Sequence, residues 1–223
     1  MKPRHEWKHE ITAADRLVLS ARLSAVARRD RHGQNGRYEI RSLYFDDLRD
    51  TALREKLDGV AKREKFRIRY YGGDISYICL EKKSKRDGLC GKRSVLLSVQ
   101  EVQDLLEGAL DWMPESGRPL VQELYWKMKA SGLRPRTIVD YTRDAYVFPA
   151  GNVRVTLDYN IRTGIGSTDF LHPASVTVPA GDAPGILEVK WDEFLPDIIR
   201  DAVQLPGRHT SAFSKYAACR IYG

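Results

Sequence analysis

The chain has 223 residues, 42% hydrophobic and 30% charged, with a formal net charge of +7 and a pI near 9.3. No apolar run approaches the ~20 residues of a membrane-spanning helix, and MKPRHEWKHE is not a secretory leader. The three cysteines (Cys79, Cys90 and Cys219) lack metal-site spacing and point to a reducing cytoplasm, and the positive charge points to an anionic partner: nucleic acid, an acidic membrane surface or a polyphosphate.

Residues 4–11 read as an opening strand with Arg4, Glu6, Lys8 and Glu10 on one face. His5 and His9 lie two strand repeats apart, and no histidine metal site is expected from them. Thr12 is a helix cap with Asp15 three residues on, and Leu17, Leu19, Leu23 and Val26 keep helical spacing to about Ala27. After the turn at 32–36, residues 38–47 alternate, with Ile40, Ser42, Tyr44 and Asp46 opposing Glu39, Arg41, Leu43 and Phe45. A short helical turn over 51–57 is closed by Gly59.

The central stretch is KREKFRIRYYGGDISYICLEKKSK, residues 62–85. It reads as two strands joined by the tight Gly72-Gly73-Asp74 turn. Lys65, Arg67 and Arg69 share one face, against Phe66, Ile68 and Tyr70 on the other. On the return strand Glu81 and Lys83 oppose Ile78 and Leu80. Arg86-Asp87-Gly88 forms a loop, and the next strand sets Lys92 and Ser94 against Arg93 and Val95.

Ser98, with Glu101 three residues later, caps a helix to Leu110 whose apolar positions are Val99, Val102, Leu105, Leu106 and Leu110. A second helix over 120–130 follows Pro119, and the pair is expected to pack outside the sheet. Strands return at 137–148, carrying Tyr141 and Arg143 on one face, and at 153–159, carrying Arg154, Thr156 and Asp158. Pro173 and Pro179 mark irregular structure or an edge. Residues 186–191 set Glu188 and Lys190 against Leu187, Val189 and Trp191. A short helix runs from Pro196 to about Val203, and 211–222 reads as a terminal helix containing Ser214 and Lys215.

Strand after strand therefore has one charged face. The repetition predicts an α+β fold: an antiparallel β-barrel with a charged interior and helices outside, formed by one domain over 1–223. Its basic members are Lys8, Arg67, Arg69, Lys83, Lys92, Arg143, Arg154, Lys190 and Lys215; its acidic ones are Glu6, Glu81, Asp158 and Glu188. Enclosing so many like charges is costly without a counter-ion, and a polyanion supplies one, with arginines giving bidentate contacts to phosphate. Two readings of the carboxylates stay open on the residues alone. Glu81 and Glu188 either neutralise Lys83 and Lys190, or hold Mg²⁺ or Mn²⁺ against substrate phosphates. No GK[ST] phosphate loop is present.

RHEWKHEI, YEIRSLYFDD, FRIRYY, YICLEKKSK, the Tyr141/Arg143 strand, VRVTLDYNIR, ILEVKW and FSKY, in this order, closely resemble the VTC domain. That family, from the vacuolar transporter chaperone complex, lies in the triphosphate tunnel metalloenzyme (CYTH-like) superfamily. The resemblance implies an antiparallel tunnel barrel and a polyphosphate polymerase that moves the γ-phosphate of ATP onto inorganic polyphosphate with Mn²⁺ or Mg²⁺. By motif, Arg67, Arg69, Lys83, Arg143, Arg154 and Lys215 match catalytic tunnel cations. Lys8, Lys92, Tyr141 and Ser214 match phosphate-contacting positions, and Lys190 joins them as a substrate-binding candidate. Glu188 matches the metal ligand, with Glu6 and Glu81 as further candidates. The first strand reads Glu6-Trp7-Lys8 and departs from the fuller ExExK of superfamily hydrolases, which leaves the metal mainly to Glu188.

The partners implied are ATP or another nucleoside triphosphate and inorganic polyphosphate or triphosphate, with no nucleic acid. A membrane-protein partner would leave no mark in this sequence. No SPX domain or membrane helix is read in the chain, so export and inositol-pyrophosphate sensing in cis are not expected. Two alternatives share the features above: a tripolyphosphatase or nucleoside triphosphatase on the same barrel, and a non-catalytic binder of polyphosphate or nucleic acid.

Overall fold

A computed structural model describes residues 4–86, 89–182, 184–207 and 212–221. In chain order it contains β1 (His5–Ile11), α1 (Ala13–Val26), β2 (Arg28–Arg29), β3 (Arg37–Asp46), α2 (Thr51–Leu57), β4 (Arg63–Tyr71), β5 (Asp74–Arg86) and β6 (Leu89–Leu97). Then follow α3 (Val99–Glu107), α4 (Pro119–Ser131), β7 (Arg134–Phe148), a 3-10 turn (Ala150–Asn152), β8 (Val153–Thr163), β9 (Val178–Pro179), β10 (Gly185–Trp191), α5 (Asp197–Val203) and α6 (Lys215–Ile221). The chain is an α+β protein built on one antiparallel sheet, hydrogen-bonded in the order β1-β10-β8-β7-β3-β4-β5-β6, with β2 on β7 and β9 on β8. A closed barrel would also pair β1 with β6, and no such pairing exists among the described residues. Both strands carry lysine, a residue that discourages pairing at a sheet edge.

The chain folds into two compact units. The first comprises Met1–Glu39, Tyr141–Ile161 and Gly181–Ser214. Its apolar strand faces (Ile11, Val153, Val155, Leu157, Leu187 and Val189) are covered by Leu19 and Leu23 of α1 and Ile199, Ala202 and Val203 of α5. Thr12 caps α1 through the Asp15 backbone N–H at 3.1 Å, and the Asp15 carboxylate answers the Thr12 N–H at 2.8 Å. Of the apolar positions spaced along this helix, Leu17 points to solvent at 64% exposure, because the buried stripe runs through Leu19 and Leu23. Arg28 and Arg29 form the short β2 opposite Val147 and Tyr146, so this basic cluster is part of the sheet.

The second unit comprises Ile40–Asp140, Arg162–Ala180 and Lys215–Gly223. Phe66, Ile68, Tyr70, Ile78 and Leu80 make one face of the central hairpin apolar. Val102 and Leu105 of α3 and Leu120, Val121 and Leu124 of α4 seal it. The hairpin turns on Gly72 and Gly73, both at positive φ (57° and 77°), between paired Tyr71 and Asp74. Two consecutive positive-φ residues twist with the flanking strands, and glycine adopts them without steric cost.

Several boundaries differ from the sequence expectation. β7 begins at Arg134 and β8 runs on to Thr163. The last helix starts at Lys215, which leaves Ser214 just ahead of it. Asp87, Gly88, Ser211 and Tyr222 lie outside the described residues.

Candidate functional site

In an antiparallel sheet, residues directly opposite each other share a face with Cβ atoms about 4.5–5.5 Å apart. On the face of the second unit away from α3 and α4, this builds three rows. Tyr44, Arg67, Glu81 and Ser94 form one across β3 to β6. Ser42, Arg69 and Cys79 form the second. Lys65, Lys83 and Lys92 form the third, three ammonium-bearing side chains abreast on adjacent strands. Five cations thus share these rows with one carboxylate, Glu81.

Glu81 is buried and fully engaged. Arg67 Nε and Nη2 donate to its Oε2 at 2.9 and 2.8 Å, while Arg69 Nη2 and Lys92 Nζ reach Oε1 at 2.7 and 2.6 Å. Burial alone would raise its pKa, but the Arg67 and Arg69 charges and the Lys92 hydrogen bond outweigh it and hold the carboxyl at about 2. Arg67 Nη1 donates to the Tyr44 hydroxyl at 2.9 Å. Burial again opposes, yet Arg67, Lys65 and Lys215 bring the Tyr44 phenol down to about 7. The Tyr44 ring stacks on Tyr216 of α6, centroids 5.0 Å apart. Tyr216 donates to Asp46 Oδ2 at 2.7 Å, and Asp46 also accepts the Ala52 and Leu53 backbone N–H groups that open α2. Lys215, half-buried, stands at the head of α6 beside this stack.

In the first unit Lys8 lies opposite Glu188, and Glu188 opposite Thr156. Glu6 lies opposite Lys190, and Lys190 opposite Arg154. The two lysines and two glutamates interlock. Lys8 pairs with Glu6 and, at 3.4 Å, with Glu188; Lys190 pairs with Glu188 at 3.0 Å and Glu6 at 3.6 Å. Burial lowers the Lys8 pKa, and the Glu188 and Glu6 charges more than restore it. Arg143 makes a bidentate pair with buried Asp158, at 2.6 and 2.8 Å, and lies 5.5 Å from the Tyr141 ring centre. Arg154 Nη2 bonds the Tyr38 hydroxyl and Asp30 Oδ2, both at 2.8 Å. Ser214 is half-buried.

The sequence-derived site residues therefore sort into two groups. Arg67, Arg69, Lys83, Lys92, Glu81 and Lys215 belong to the second unit. Lys8, Lys190, Glu6, Glu188, Tyr141, Arg143, Arg154 and Ser214 belong to the first. The lysine-neutralising reading holds for Glu188 with Lys190, whereas the cations bonded to Glu81 are Arg67, Arg69 and Lys92.

A profile of the VTC domain matches residues 3–221, nearly the whole chain. The chain belongs to the VTC domain family. Among solved structures, the VTC domain is similar to the PH1012 protein of Pyrococcus horikoshii OT3, with a TM-score of 0.53 and 14% identity over 97% of this chain and 99% of that one. It is also similar to the PH1819 protein of the same organism, with a TM-score of 0.43 and 14% identity over 89% and 84% of the two chains. At such identity the PH1012 likeness shows the fold alone. No curated protein matches the sequence. The family places the VTC domain in the triphosphate tunnel superfamily, whose general chemistry is phosphoryl transfer. Among the described residues no helix is long and apolar enough to cross a membrane.

The superfamily implies a divalent metal, and the two carboxylate settings differ in fitness for one. Glu188 and Glu6 are hard-oxygen donors on adjacent strands, and the buried Thr156 hydroxyl opposite Glu188 has no hydrogen-bond partner. One or two carboxylates completed by substrate phosphates suit Mg²⁺ or Mn²⁺. Glu81 does not fit: three cations already fill its oxygens, and a further cation there would meet their repulsion. No group of three or more His, Cys, Asp or Glu side chains gathers for a metal among the described residues. The sequence pattern put Thr156 on a charged face with Arg154 and Asp158, and Ser42 and Tyr44 on the face of Ile40 and Asp46, but nothing in their residue types marked them for a role.

Proposed function

We propose that this VTC domain is a metal-dependent polyphosphate polymerase, transferring the γ-phosphate of ATP to the end of an inorganic polyphosphate chain. The observation that carries the reading is the row of Lys65, Lys83 and Lys92, set beside Arg67 and Arg69. Like charges directly opposite each other destabilise a sheet, and Glu81, the carboxylate in these rows, is shared among Lys92, Arg67 and Arg69. A chain of phosphates, with a negative charge at every repeat, matches such an array as a lone carboxylate or a neutral ligand does not. Arg67 and Arg69 offer planar donor forks to phosphate oxygens, and the lysines act as point charges.

Little covalent chemistry is asked of the protein, because phosphoryl transfer is catalysed mainly by alignment and charge neutralisation. A terminal oxygen of the primer attacks the γ-phosphorus, and ADP leaves. In the second unit Arg67 and Arg69 would bind and orient phosphate oxygens; in the first unit Arg143 is braced by Asp158, and Arg154 by Tyr38 and Asp30. Glu188, with Glu6, would hold the divalent cation, which when bound neutralises charge on the phosphates.

Incubation with ATP and Mn²⁺, followed by gel analysis, tests the reading. Long polyphosphate chains support it, and orthophosphate alone would make the protein a hydrolase on the same fold. Salt-sensitive binding without turnover would make it a binder. Arg67→Ala and Glu188→Ala are each expected to abolish polymer formation in a folded protein; wild-type rates from either would remove the proposal.

A further inference from the structure

Two buried donors on the cationic face of the second unit are unused. Ser42 is fully buried in β3, and its Oγ has no hydrogen-bond partner. Directly across the ladder in β4 is Arg69, whose Nε is buried and likewise unpartnered. The other end of the Arg69 guanidinium is fixed, with Nη2 on Glu81 Oε1 at 2.7 Å and its central carbon 4.8 Å from the Tyr71 ring centre. Glu81 therefore aligns the fork without using Nε.

Buried donors without acceptors are rare, because each loses its hydrogen bonds to water and gains none in return. Here the two stand opposite each other on a face that also carries Arg67 and the lysine row. A compact anionic acceptor that reached both side chains would satisfy the two donors. Apolar neighbours do not explain the pair, since Leu43 and Phe45 turn to the other face of β3 and into the core.

We propose that the Ser42 hydroxyl and Arg69 Nε together bind one non-bridging oxygen of a phosphate group in an inorganic oligophosphate. The proposal rests on the polyphosphate reading of this face and deepens it, adding Ser42 as a binding residue and giving Arg69 two separate tasks. Nη2 answers Glu81, and Nε answers substrate. A serine in this place offers a donor without charge, which adds a directed contact where another cation would add only repulsion.

Calorimetric titration of inorganic triphosphate into the full chain, without nucleotide, tests the proposal apart from catalysis. Ser42→Ala is expected to weaken triphosphate binding about tenfold or more, the loss of one hydrogen bond to a charged group. Ser42→Thr, which keeps the hydroxyl, is expected to restore most of it. The second readout is the unfolding midpoint of the ligand-free protein, which Ser42→Ala should leave unchanged or raise, because an unsatisfied buried hydroxyl is removed. Unaltered triphosphate affinity in Ser42→Ala, with wild-type protein binding normally, overturns the role of Ser42 and leaves the polymerase reading standing. So does a fall in ligand-free stability large enough to explain the weaker binding. Absence of triphosphate binding by the wild-type protein overturns both.

Discussion

Replacing Glu81 with glutamine tests whether a carboxylate holds the second unit's cations together. Folding lowers the Glu81 pKa from its ordinary 4.5 to about 2. At about 1.36 kcal/mol for each pKa unit, that difference corresponds to roughly 3 kcal/mol of stability. The same size is expected when one partner of a buried ion cluster is removed, on the order of 3–5 kcal/mol. Glu81→Gln keeps the shape and one acceptor oxygen but removes the charge that Arg67, Arg69 and Lys92 share. The sign follows from the depressed pKa. The ionised carboxylate stabilises fully above about pH 4.5, and its contribution disappears as pH falls from there toward 2. Urea denaturation at pH 7 should therefore show Glu81→Gln less stable by about 3 kcal/mol, with the gap closing below pH 4.5. Added triphosphate should narrow the gap at pH 7 by supplying counter-charge from outside. A variant as stable as wild type at pH 7 would refute the reasoning, and so would a gap that persists unchanged in strong acid.

Other outcomes can be measured separately. Tyr44, brought from 10 to about 7, should give a tyrosinate absorbance transition near neutral pH that is missing in Tyr44→Phe. Its phenolate contributes stability that grows as pH rises from about 7 toward 10 and is lost as pH falls through 7, so the stability gap to Tyr44→Phe should open only on the alkaline side. Glu188→Gln should raise the Mn²⁺ concentration for half-maximal polymer formation by about tenfold or more, as expected when a metal's ligand environment is disturbed. Equal metal dependence would detach Glu188 from the cation. Thr12→Ala should cost about 1 kcal/mol in urea denaturation through the lost α1 cap, and an unchanged midpoint would show that the cap contributes nothing.

Much of the fold was legible because its signals are local. Thr12 with Asp15 and Ser98 with Glu101 announce helix starts, and both form reciprocal caps. Gly72-Gly73 marks the turn of the central hairpin, but Lys65 meets Lys83 only after a register shift between Arg69 and Tyr71 that no local signal announces. Period-two alternation also assigned Arg67, Arg69 and Glu81 to one face. What stayed hidden depends on contacts between segments distant in sequence. Nothing near Glu81 in the sequence indicates that Lys92, from the next strand, joins Arg67 and Arg69 on its carboxylate. Leu17 fits the helical spacing as well as Leu19 does, and only the position of β8 and β10 decides which is covered. Ser42 and Tyr44 have residue types common in any strand; their meaning comes from Arg69 and Arg67 across the ladder.

The abreast arrangement of Lys65, Lys83 and Lys92 makes the purification buffer a variable in its own right. A multivalent oxyanion bound at this row would add attraction to neighbouring ammonium groups that chloride does not match. Melting temperatures collected in phosphate or sulfate would then overstate the intrinsic robustness of the protein. A ligand screen run in such buffers would hide the compounds it seeks, since the solvent would already occupy the place they compete for.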